Sequence, residues 1–268
     1  MNLNNHIHSI NHHEIGIVPQ LILAIPFLLL LVTYITAVIV SNRRLRKWPF
    51  YRIILWIFGT SCVVVSIIGP VAEWSHTNFS IHMLVHLLFG MAAPLVMALG
   101  APMTLFMRTI PVSQARRLSK ALKSRFIVVI CNPVVASILN VGGLWLLYTT
   151  SLYSYMHQHT VLYVLVHFHV FIAGYLFTIS IIYIDPIHKR THYIYRAIVL
   201  IFALAGHGIL SKYIYAHPPL GVPIIQGEIG GIIMYYGGDA VDIVIVIFLC
   251  YQWFRATRPR SNERSFAI

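Results

Sequence analysis

Seven uncharged or nearly uncharged apolar runs dominate the 268 residues. They are Val18–Val40, Ile53–Ala72, Phe79–Leu99, Phe126–Tyr148, Val161–Ile184, Ala197–Ala216 and Ile229–Trp253. About 20 apolar residues, rising 1.5 Å each in a helix, match the hydrocarbon thickness of a bilayer. Strands are excluded, because the runs are too long and lack the polar alternation of an outer-membrane barrel. Composition agrees: 58% of residues are hydrophobic and only 10% charged, where a soluble domain carries about 25% charge. The expected fold is therefore all-α: a polytopic membrane protein with seven transmembrane helices. One membrane domain, residues 18–254, is expected between a His-rich tail, 1–17, and a basic tail, 255–268.

Charge orients the spans. Arg43, Arg44, Arg46, Lys47 and Arg52 lie between the first two runs, and a second group from Arg108 to Arg125 lies between the third and fourth. Lys189, Arg190 and Arg196 separate the fifth from the sixth, and four arginines follow the seventh. Only Lys212 of the 19 Lys and Arg falls outside these alternate segments. The positive-inside rule makes that side cytoplasmic, with the N-terminus outside and the C-terminus inside. The net charge of +12 is accounted for by basic loops beside anionic lipid, so no nucleic-acid partner is expected. The first run is long enough to remain as a span and has no basic segment before it, unlike a cleaved signal peptide. Cys62, Cys131 and Cys250 are isolated and spread over separate runs, against a disulfide framework.

Histidine is the unusual residue. The tail carries His6, His8, His12 and His13; His76, His157, His159 and His217 fall at the outer rim of the spans. Deeper lie His82 and His86 on the third run, His167 and His169 on the fifth, His207 on the sixth and Asp239 on the seventh. Counted along ideal helices, His86, His167, His169, His207 and Asp239 all sit roughly 12–16 Å below the outer surface. Ionisable groups at such depth are costly, face the bundle interior and mark function. His82 and His86, spaced i,i+4, share a helix face. His167 and His169 point to opposite sides, and their spacing leaves open which one joins a site.

Imidazole suits zinc, copper, iron and nickel, and a thioether adds preference for Cu(I). The candidate metal ligands are His82, His86, His167, His169 and His207, with Met83 and Met234 at the same level. Asp239 and Asp242 are candidate partners that orient a ligating imidazole. The residues by themselves leave the ion open among these metals, zinc and copper included. Haem is the rival cofactor, but two histidines one turn apart cannot ligate opposite faces of one haem, and His167 and His169 do not offer the matching spacing. No P-loop, GxGxxG turn or Ser–His–Asp order is present, so no enzyme is expected. A metal transporter, a haem electron carrier and a metal-free scaffold are the other classes.

Five segments together resemble the CtaG family of cytochrome c oxidase (caa(3)-type) assembly factors. They are "SIHMLVHLLFGMAAPLVMALGAP", "NPVVASILNVGGLWLLY", "HFHVFIAGYLFTISIIYIDP", "LAGHGILSKYIYA" and "GEIGGIIMYYGGDAVDIVIVIFLCYQWF". They cover the third to seventh runs, about two-thirds of the chain. The resemblance implies a multi-pass plasma-membrane protein that helps to mature a haem–copper oxidase by handling copper. It implies cytochrome c oxidase subunits, and other copper chaperones, as partners. The family's histidines correspond to His82, His86, His167, His169 and His207. One departure stands at the end of the fifth run, where members often have a Trp-rich segment and this chain reads "LFTISIIYIDP".

Overall fold

A computed structural model describes residues 17–187 and 190–258. The histidines of the N-terminal tail, His188, and the basic tail beyond Arg258 lie outside the described residues. Among the described residues the chain is helical with no strand. In order, the helices are α1 (Ile17–Arg44), α2 (Phe50–Ile67), α3 (Pro70–Thr77), α4 (Phe79–His86), α5 (Ala93–Leu99), α6 (Pro102–Thr109) and α7 (Val112–Leu122). They continue with α8 (Arg125–Ile130), α9 (Pro133–Ser137), α10 (Gly143–Thr149), α11 (Leu152–Gln158), α12 (Thr160–Ile181), α13 (Tyr193–Ala216) and α14 (Ile224–Thr257). Two π-helical turns, Leu87–Ala92 and Ile138–Gly142, join α4 to α5 and α9 to α10.

Among the described residues, six helical units are long and apolar enough to cross a membrane, and a seventh exists if the bent pair Pro133–Thr149 and Leu152–Gln158 is one span. The chain is thus a multi-pass membrane protein. Large apolar side chains such as Leu165, Phe202 and Ile247 are exposed on its outer faces, as a protein with lipid as solvent requires.

Several breaks differ from the seven-run reading. The second run was expected to reach Ala72, but α2 stops at Ile67. Gly69 adopts φ +83° and Pro70 then opens α3, because a left-handed glycine ends one helix and proline's missing N–H is harmless in the first turn of the next. The fourth run is divided at Asn132, whose side-chain oxygen accepts from the Val134 N–H ahead of Pro133. It then bends by 80° near Thr150 into α11. The basic segment after α6 forms the amphipathic α7, with no buried residue.

The unit α4–π–α5 is the most enclosed of the spans, with 61% of its apolar window buried. It packs against α2, α12 and α14. Pro94 stands in the first turn of α5, immediately after the π turn, so the widened turn falls where proline would otherwise break an α-helical bond. At the end carrying the basic loops, Tyr34 stacks on Trp56 at 4.5 Å and donates to the Gly100 carbonyl at 2.8 Å. Glycines let helices touch. A Cβ on Gly174 of α12 would collide with the Gly90 carbonyl of the π turn, and one on Gly231 of α14 would lie 2.9 Å from the Ser211 carbonyl of α13. Small residues at helix seams are the means by which membrane bundles pack closely.

Candidate metal centre at the histidine end

Asn78 starts the site. Its side chain caps α4 by accepting from the Ser80 and Ile81 N–H groups at 2.9 and 3.2 Å. Gln226 of α14 accepts from the Phe79 N–H at 2.9 Å. The helix therefore begins at a fixed point, and its inward face carries His82, Met83 and His86, all buried. α12 brings His167 to the same place, also buried.

His82, His86 and His167 line one cavity of about 20 Å³, with Tyr148, Met156, Phe89 and Leu147 among its walls. One water-sized guest needs about 10–15 Å³. The ring nitrogens are arranged for acceptance. His167 Nδ1–H donates to the Tyr163 carbonyl at 2.8 Å, which leaves Nε2 of the neutral ring with its lone pair. His86 Nε2 is buried with no hydrogen-bond partner in the protein. His82 Nε2 lies 3.2 Å from the Tyr148 hydroxyl, and the Tyr148 and His86 rings are 6.1 Å apart between centroids. Among the described residues, no group of three or more His, Cys, Asp or Glu side chains stands at metal-holding spacing.

The other sequence candidates fall elsewhere. His169 is exposed on the far side of α12, where its Nε2–H donates to the Leu139 carbonyl of the second π turn at 3.1 Å. The turn that puts His167 inside puts His169 outside, as the i,i+2 spacing dictates. His207 and Asp242 are both buried and line a second small cavity with Asn140, Gly90 and Thr178. His207 Nε2 is buried without a protein partner, and Gly238 of α14 makes room for the ring, since a Cβ there would sit 2.5 Å from His207 Cε1. The Gly90 turn borders this second cavity, and a Cβ on Gly90 would lie 3.2 Å from His86 Nδ1. Asp239 is exposed. Met83 and Met234 are fully buried in the core and do not line the three-histidine cavity; Met83 packs where Gly230 opens the α4–α14 seam. The thioether in that cavity belongs to Met156.

Tyr148 and Met156 went unnoticed in the sequence. Tyr148 closes the fourth run at its outer end, so a depth count along the runs did not bring it level with His86 and His167. Met156 gave no signal, because it reaches the cavity only through the 80° bend after α10.

Comparison with known proteins adds the following. A family model described as "Cytochrome c oxidase caa3 assembly factor" matches residues 32–256. Uncharacterized proteins of Mycobacterium bovis and Mycobacterium tuberculosis are each 30% identical over 239 residues, covering 81% of this chain and 36% of their own length. An uncharacterized protein of Mycobacterium leprae is 27% identical, covering 83% of this chain and 37% of its own. The chain thus spans little more than a third of the length of these relatives. No solved structure matches.

Proposed function

The chain belongs to the family of cytochrome c oxidase caa3 assembly factors, and from that premise we propose that it binds copper between His82, His86 and His167 and supplies it to the oxidase. The observation that carries the proposal is the buried cavity lined by three imidazoles, in which His86 Nε2 has no protein partner and His167 Nε2 keeps its lone pair. Buried polar atoms are ordinarily paired, so an unpaired nitrogen on a ring that lines a cation-sized space is a ligand in waiting. The volume of about 20 Å³ favours a single ion over a haem.

Copper fits the donor chemistry. Neutral imidazoles and the Met156 thioether suit Cu(I), and no thiolate is needed. His82 exchanges the Tyr148 hydroxyl for the ion, and the rings close on it from α4 and α12. A set of donors that must move to bind is suited to release as well as capture. In this reading the histidine end faces outward, the basic loops face the cytoplasm, and an oxidase subunit is the recipient. Asp242 and His207 support the site from the adjoining cavity.

The test is a strain lacking this protein. Copper supply requires that oxidase activity fall without it and recover when copper is added to the medium. Loss of oxidase that added copper leaves unchanged would instead mark a scaffold.

A further inference from the structure

We infer that His76 and His157 form a second, outer ion site, a two-coordinate Cu(I) port that receives the ion before the three-histidine cavity does. The identity of the ion rests on the copper-handling reading above; the site itself rests on separate residues. His76 comes from α3 and His157 from α11, two short helices at the outer rim of the spans. Their rings lie 5.6 Å apart between centroids, at 77°.

Three nitrogens of this pair are buried without a protein partner: His76 Nδ1, His76 Nε2 and His157 Nε2. The fourth, His157 Nδ1–H, donates to the Tyr153 carbonyl at 2.9 Å, which fixes the tautomer and leaves Nε2 as the acceptor. A structural histidine would be expected to use at least one of its nitrogens; His76 uses neither.

The surroundings select the ion. Tyr163 packs 5.2 Å from His76 and Tyr153 packs 4.6 Å from His157, so aromatic faces wall the pair. Glu73, one turn before His76, is exposed, and among the described residues no third His, Cys, Asp or Glu completes a cluster. Zinc takes four ligands, whereas a d¹⁰ monovalent ion is content with two neutral nitrogens in line. Inward of this pair, His157 stands 5.9 Å from His82 between ring centroids, and His82 lines the three-histidine cavity together with His86 and His167. Transfer is ligand exchange: one imidazole bond to the ion forms as another breaks, with no electron or proton moved.

The experiment is Cu(I) titration of purified full-length protein in detergent against a chromophoric Cu(I) chelator, under strictly reducing conditions. His76→Gln plus His157→Gln is expected to lose one equivalent relative to wild type, and His82→Ala plus His86→Ala to lose a different one. Equal Cu(I) in wild type and the His76/His157 variant overturns the outer port, whatever the inner variant does. Loss in the outer variant with none in the inner variant keeps the port and removes the cavity assignment. Should the outer variant fail to fold, X-ray absorption on the His82→Ala plus His86→Ala variant at limiting Cu(I), which lacks the inner donors, decides. A low-coordinate, nitrogen-only shell is expected, and a sulfur-containing or four-coordinate shell contradicts the inference.

Discussion

Gly174 shows how little room the bundle leaves around its histidines. Its missing Cβ is where the Gly90 carbonyl passes, and a backbone atom cannot swing aside as a side-chain end can. Gly174→Ala should therefore destabilise the protein by about 1–3 kcal/mol, the usual range for overpacking a close contact. Gly208→Ala, whose Cβ would meet only Tyr235 at 3.5 Å, should stay within about 0.5 kcal/mol of wild type. Thermal unfolding in detergent compares them, and equal midpoints would show the α12–π contact to be looser than described. His76 gives a second expectation at this scale. Its pKa falls from 6.5 to about 4 on folding, so between those values the unfolded chain binds more protons. Stability of the metal-free protein should then fall as pH is lowered through that window. His76→Phe should flatten the dependence, and an unchanged pH profile would contradict the burial of this ring.

Among the elements, α6 depends on a residue far away in sequence. Ala101 turns the chain with φ +51°, and Asp185 then accepts from the Met103 and Thr104 N–H groups at 3.0 and 2.8 Å and from the Thr104 hydroxyl. A carboxylate at a helix N-terminus satisfies unpaired donors and complements the dipole. Asp185→Ala should cost about 1–2 kcal/mol, with Asp185→Asn closer to wild type; thermal melts in detergent would show the order, and its reversal would remove the capping role. This link was not legible in the sequence, because nothing local joins Met103 to Asp185. The same limit hid the break of the fourth run and the outer helices α3 and α11. The breaks at Gly69 and at Asn132–Pro133 fall within runs whose apolar character continues on both sides. Helix periodicity, by contrast, fixed the partnership of His82 with His86 and the opposition of His167 to His169. It left undecided which of the latter faced inward, since only packing of α12 against the first π turn and α5 decides that.

At the scale of the molecule, the run pattern and charge alternation were enough for an all-helical membrane protein, and the structure assembles the runs into one bundle with its most enclosed span at the centre. Orientation remains an expectation of the charges and can be measured. Cysteine at exposed His159, in a background where Cys62, Cys131 and Cys250 are Ser, should react with an impermeant thiol reagent on intact cells. Cysteine at exposed Gln114 of the basic α7 should react only after the membrane is opened, and the opposite pattern would reverse the topology. What the sequence could not supply is the meeting of α4, α10, α11 and α12 around one small cavity. The depths of His82, His86 and His167 suggested it, but Met156 enters only through the bend after α10. The whole account turns on that cavity holding an ion. Copper analysis of the purified protein against His82→Ala plus His86→Ala tests this most directly: wild type should retain copper that the double variant lacks, and equal copper in the two would contradict the account.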